Sequence, residues 1–148
     1  MGTHYKGIKK EVTALDTFIK LTRASETLRA KLKLTLDDYS LSESQFAALD
    51  ALCHLGCLSQ KDLGTKLLRS GGNITMVVNN LLKNGFVRRN RSKKDRRLYL
   101  IKLTPKGKKK IEETLPKQVE LITGMMNILS NGEQKELQKL CKKLGRGN

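Results

Sequence analysis

Tryptophan is absent from this 148-residue chain, and aromatic residues make up only 4% of it. A core must therefore be built from Leu, Ile, Val and Ala, which favours helices over an all-β sandwich. Cysteine is scarce: Cys53, Cys57 and Cys141. An odd number without a secretion signal argues against a disulfide framework. Cys53 and Cys57 are four apart rather than a C-x-x-C pair, and His4 and His54 are the only histidines, so a zinc site lacks convincing ligands. No apolar run approaches the ~18–20 residues that cross a bilayer. The N-terminus has no apolar stretch of the signal-peptide kind. Lys6 stands where a myristoylation signal wants Ser or Thr. The expectation is a soluble, cytoplasmic protein without metal or cofactor.

Acidic residues are also few: 14 against 30 basic ones, a net charge of +16. Such a surplus argues for a polyanionic partner, either nucleic acid or an anionic membrane. An enzyme is disfavoured. No nucleophile–base set or metal cluster is visible, and Gly71-Gly72 lacks the G-K-[ST] ending of a phosphate-binding loop. No catalytic residues are expected.

The length fits one domain or a core with a small appendage. Apolar positions at helical spacing run from Ile8 to Leu36 and predict one long helix. Leu41-Ser42-Glu43-Ser44-Gln45-Phe46 carries a capping box (Ser42 with Gln45) and a hydrophobic staple (Leu41 with Phe46), predicting a helix over 43–54 that stops near Gly56. Ser59 and Asp62 repeat the device and open a short helix to about Leu67, broken by Arg69-Ser70-Gly71-Gly72. Ile74, Val77, Val78, Leu81 and Leu82 form a one-sided stripe on a helix over 73–84, with Gly85 as its stop. Residues 86–91 and 97–103 read as a two-stranded hairpin around the charged turn 92–96. Thr104-Pro105 opens a helix carried on through Ile111, Leu115, Val119, Ile122, Met126 and Leu129, where Pro116 predicts a kink or a local break. Ser130 with Glu133 caps a last helix through Leu137, Leu140, Cys141 and Leu144.

Two features converge on DNA. The face opposite the 73–84 stripe carries Asn73, Thr75, Met76, Asn79, Asn80 and Lys83. Asn is a poor helix former, yet three occur here. Asn pairs with adenine edges, Thr touches the thymine methyl, and Lys reaches guanine or phosphate. Next comes the charge. Residues 86–110 hold twelve basic residues and one acid, +11 of the chain's +16. Arg89, Arg91, Lys93, Lys94, Arg96 and Arg97 cluster around Asp95 on the hairpin. Each cation that neutralises a phosphate releases counterions, so binding should depend strongly on salt. An arginine at the tip suits a narrow minor groove. A run of charge on a hairpin directly after a polar-faced helix separates DNA gripping from membrane adhesion.

In Leu58-Ser59-Gln60-Lys61-Asp62-Leu63, Asn73-Ile74-Thr75, Leu81 to Arg89, Asp95-Arg96-Arg97 and Leu103-Thr104-Pro105-Lys106-Gly107, the chain resembles the MarR (multiple antibiotic resistance regulator) family. The resemblance implies a mainly α winged helix-turn-helix fold with a small β-hairpin. It implies a dimerisation helix over 1–40, a DNA-binding lobe over 41–104 and dimerisation helices over 105–148. It further implies a homodimer on a near-palindromic double-stranded operator, with the recognition helix in the major groove and the wing in the minor groove. Half-sites should lie roughly 10 bp apart. Ser70 joins the expected base-reading residues, and Asp95 is expected to brace the wing through Arg97. Most relatives repress transcription and let go of DNA on binding a phenolic or lipophilic ligand or on cysteine oxidation. Gly71-Gly72 departs from the usual entry to the recognition helix.

For the signal, Phe18, Tyr39, Phe46 and Met126 are possible pocket liners and equally core residues. Cys57 and Cys53 are the possible redox residues. Against that stands packing: free Cys behaves as a small buried hydrophobe, the stronger expectation for Cys53 and Cys141.

Overall fold

The computed structural model describes residues 1–67 and 71–146. Ser70, and with it the expected break at Arg69-Ser70, lies outside the described residues. Among the described residues six helices and three short strands follow in the order α1 (Lys9–Asp38), α2 (Glu43–Leu55), β1 (Leu58–Ser59), α3 (Gln60–Lys66), α4 (Gly71–Lys83), β2 (Val87–Arg91), β3 (Tyr99–Leu103), α5 (Pro105–Met126) and α6 (Asn131–Arg146).

Local chemistry sets the helix ends. Ser42 accepts from the Gln45 backbone N–H at 3.1 Å while the Gln45 side chain accepts from the Ser42 N–H at 2.9 Å, a closed capping box. Gly56 ends α2 at φ 78°, a left-handed region that favours glycine. Ser59 caps α3 by accepting from the Asp62 N–H, and Thr104 caps α5 by accepting from the Gly107 N–H. Ser130 and Glu133 cap α6 reciprocally at 3.3 and 2.8 Å. The backbone N–H and hydroxyl of Ser130 hold the Glu133 carboxyl below its ordinary pKa.

The core draws on nearly every element. Leu36 closes α1; Ala48, Leu49 and Leu52 come from α2 and Leu63 from α3. Ile74, Val77, Val78 and Leu81 come from α4; Phe86, Val87 and Ile101 from the sheet; Ile111 from α5. The stripe of α4 is thus buried as its periodicity requires. Leu36 and Ile111 carry the core past both ends of the 41–104 segment.

Four details differ from the expectation. The hairpin is part of a three-stranded antiparallel sheet of order β1-β3-β2, with Leu58 opposite Ile101 and Ser59 opposite Leu100. Two residues carry no periodicity, so β1 has no signature of its own; it exists because β3 offers an edge. Helix α4 starts at Gly71, not Asn73, so the paired glycines form its first turn rather than a turn before it. The second wing strand starts at Tyr99, because Arg97 and Leu98 are used in the turn. The helix after the wing runs unbroken through Pro116 to Met126, which excludes the local break. Helices α1 and α6 leave apolar side chains uncovered on this chain: Leu15, Phe18 and Leu21 on one, Leu137, Leu140 and Leu144 on the other.

Candidate DNA-binding face

The site is built where α3, α4 and the wing meet. With the stripe of α4 turned inward, Asn73, Thr75, Met76, Asn79, Asn80 and Lys83 all lie on the exposed side. Thr75 and Asn79 line a cleft of about 670 Å³ together with Ser59, Gln60, Lys61 and Asp62 from β1 and α3, and Arg89, Arg97, Leu98 and Tyr99 from the wing. One concave surface therefore joins the polar face of the helix to the cations of the hairpin.

The wing is ordered by its own polar groups. Ser92 is buried at the base of the turn, where its hydroxyl accepts from the Lys94 and Asp95 N–H groups at 3.3 Å. Its backbone N–H donates to the Leu98 carbonyl at 2.8 Å. Asp95 then accepts from the Arg97 backbone N–H at 3.0 Å and from its guanidinium Nε at 3.2 Å. Those two contacts hold the Asp95 carboxyl below the usual carboxylate range. Asp95 thus braces the turn through Arg97. Arg97 keeps most of its side chain in solvent, 89% exposed, and Lys93, Lys94 and Arg96 beside it are exposed too. Arg91 stacks on the Tyr99 ring at 5.4 Å and donates to its hydroxyl at 3.1 Å, fixing a guanidinium on the strand.

The foot of the wing is tied to α4 and α5. Gly85 sits at φ 72°, which suits glycine at the end of α4. The Thr104 hydroxyl donates to the Gly85 carbonyl at 2.6 Å, and Lys106 donates to the Asn84 carbonyl at 2.8 Å. Lys106 also stands over the Phe86 ring at 5.3 Å. A side chain at Gly107 would overlap the Phe86 carbonyl oxygen, so α5 approaches the backbone just before β2 more closely than any other residue would allow.

Two further residues contribute. Gln60 donates to the Thr75 hydroxyl at 2.9 Å and accepts from Arg89 at 3.3 Å. Tyr99 holds Arg91. Nothing local marks Gln60, whose partners lie 15 and 29 residues away; an aromatic beside the wing arginines was a readable hint for Tyr99.

The expected signal-sensing residues do not converge within one chain. Phe18 is exposed on α1, and twenty residues of helix, about 30 Å, separate it from the end of α1 beside Tyr39. Tyr39 and Phe46 pack against the core, and Met126 is half-buried at the end of α5. A cleft of about 510 Å³ between α1 and α2 is lined instead by Arg29, Ala30, Lys33, Asp37, Ser40, Leu41, Ser42 and Glu43. Cys53, Cys57 and Cys141 are free and exposed on this chain. The packing expectation for Cys53 and Cys141 is therefore corrected on this chain: both are exposed, Cys53 on the outer side of α2, away from Ala48, Leu49 and Leu52. Cys57 lines a cleft of about 490 Å³ with Arg88, Lys102 and Lys108. Among the described residues no cluster of His, Cys, Asp and Glu is fit to hold a metal, and no helix is long and apolar enough to cross a membrane.

Comparison with known proteins agrees with this geometry. The family model for the MarR family matches residues 41–99. The transcriptional regulator YkoM of Bacillus subtilis (strain 168), of helix-turn-helix type, is 32% identical over 132 residues, covering 89% of this chain and 86% of that protein. The regulator MhqR of the same strain is 29% identical over 132 residues, covering 89% and 91%. Among solved structures, BpsR of Bordetella bronchiseptica superposes with a TM-score of 0.78 at 25% identity, over 87% of this chain and 98% of that one. That structure concerns regulation of DNA binding by 6-hydroxynicotinic acid.

Proposed function

Because this chain belongs to the MarR family, we propose that it is a homodimeric, sequence-specific repressor that lays α4 in the major groove and the β2–β3 wing in the minor groove of double-stranded DNA. The observation that carries this reading is the shared cleft. Thr75 and Asn79 of α4 and Arg89 and Arg97 of the wing face one concavity, the arrangement a grooved polyanion needs. Asn73, Thr75, Met76, Asn79, Asn80 and Lys83 read bases. Arg89, Arg91, Lys93, Lys94, Arg96 and Arg97 contact phosphate or the minor groove. The uncovered apolar side chains of α1 and α6 supply the dimer interface, so residues 1–40 and 105–148 serve mainly to pair two lobes. The work is binding, and no catalytic step is assigned.

A small aromatic or lipophilic ligand releases the DNA. BpsR, whose DNA binding is regulated by a hydroxylated aromatic acid, supports this choice. Oxidation of Cys57 or Cys53 is the alternative signal, supported by their exposure. The deciding experiment is footprinting of genomic fragments with purified protein, with and without phenolic acids or peroxide. The reading expects protection of a near-palindrome with half-sites roughly 10 bp apart, lost on addition of one effector class. Uniform coverage of all fragments would instead make this a non-specific DNA-packing protein.

A further inference from the structure

We infer that Gln60 is a positioning residue that couples the recognition helix to the wing and thereby sets operator discrimination. The inference rests on the DNA-binding reading above and deepens it. Gln60 is the first residue of α3, directly after the two-residue strand β1. Pairing of Leu58 with Ile101, which in turn faces Arg89, fixes β1 two strands away from β2 on the other side of β3. That placement lets one amide serve two elements. Its Nε2 donates to the Thr75 hydroxyl oxygen at 2.9 Å, and its Oε1 accepts from Arg89 Nη2 at 3.3 Å.

The chemistry of the two contacts is directional. An amide has a donor end and an acceptor end, and a flip would set Nε2 against the Arg89 guanidinium, donor against donor, whereas the Thr75 hydroxyl can meet either end. The bond to Arg89 fixes the flip, and the fixed flip presents Nε2 to Thr75. Thr75 therefore accepts a hydrogen bond within the protein that helps set its rotamer and with it the place of its methyl group, which suits a thymine methyl in the major groove. Arg89, held by a neutral acceptor, keeps its full charge for phosphate. Gln60 itself needs no contact with a base. Its effect is to make the side chain of α4 and the cation of β2 adopt one joint geometry.

The test uses the full-length protein and a duplex enriched by the wild type from a randomised library, with a scrambled duplex of equal length as control. Gln60→Met keeps size and apolar bulk but removes both hydrogen bonds. It should weaken binding to the enriched duplex about tenfold. Binding to the scrambled duplex, the salt slope and the melting temperature should be unchanged. Thr75→Val, which keeps a methyl but removes the hydroxyl, should reduce the same preference. The double variant should lose less than the sum of the two singles, because the Gln60–Thr75 contact is shared by both. Equal weakening on both duplexes, additive losses, or full discrimination by Gln60→Met would each overturn the inference. A wild type that enriches no sequence at all would overturn the DNA-reading proposal itself, a result distinct from these.

Discussion

Gly107 and Asp95 show what single positions contribute. At Gly107 the Phe86 carbonyl oxygen occupies the place of a Cβ, and backbone cannot swing aside as a side-chain tip can. Gly107→Ala should cost about 1–3 kcal/mol, the usual penalty of overpacking, read as a lower urea midpoint with an unchanged slope. Asp95 makes a pH prediction. Its carboxyl is held below the ordinary range by Arg97, so the strut contributes above that range and is lost only as pH falls through the lowered value. At a pH of about 4, where a free Asp is half protonated, Asp95 should be more than half ionised, and the Arg97 Nε–H resonance in NMR spectra should shift at lower pH than a free Asp would titrate. Titration at or above the ordinary Asp value would refute the strut. Gln118 points the other way: its residue is 2% exposed and its Nε2 finds no hydrogen-bond partner among the described residues. Gln118→Met, close in volume, should leave stability unchanged or raise the melting temperature, because an unpaired buried donor is removed.

Helix α4 divides its labour between two faces, and mutations should divide with it. Leu81 is fully buried, so Leu81→Ala should cost about 2–5 kcal/mol in chemical denaturation. Asn79→Ala with Asn80→Ala should leave stability within about 0.5 kcal/mol, since both are exposed. The same pair should abolish preference for one operator in a competition assay while salt-dependent background binding persists. Elements of this kind were readable in advance because their information is local. The capping pairs Ser42–Gln45, Ser59–Asp62 and Ser130–Glu133 and the stripe from Ile74 to Leu82 each lie within a few residues. Strand β1 was not readable, since Leu58-Ser59 becomes a strand only through Leu100 and Ile101, some forty residues on. The two glycines before Asn73 misled for a related reason. Their intrinsic cost in a helix is outweighed here by the burial of the stripe that follows. At the site, residue types on the outer face of α4 and on the wing were legible, whereas the Gln60 bridge and the exposure of Cys53 depend on tertiary placement.

For the molecule as a whole, charge and apolar surface act at different ranges. The cations from Arg88 to Lys110 should give a steep salt dependence. If six to ten phosphates are contacted, affinity falls about 10³–10⁵-fold between 50 and 200 mM salt, measurable by fluorescence anisotropy. A slope near zero would contradict a phosphate-gripping wing. Pairing rests on the outer helices. Leu140, half exposed on α6 of this chain, is the place to break it: Leu140→Asp should yield monomers by sedimentation and lose most operator affinity, with the lobe still folded.

The ties at the foot of the wing have a consequence for what can vary. The Thr104 hydroxyl on the Gly85 carbonyl, Lys106 on the Asn84 carbonyl and the close seat of Gly107 on Phe86 bring the two ends of the 85–104 segment together. The hairpin is a handle bolted to one plate at both ends. Its reach beyond the plate is an independent dimension: residues added or removed at Lys93-Lys94 lengthen or shorten the grasp while α4 and α5 keep their mutual angle. Span along the DNA and depth of reading are therefore adjusted by separate parts of one small scaffold.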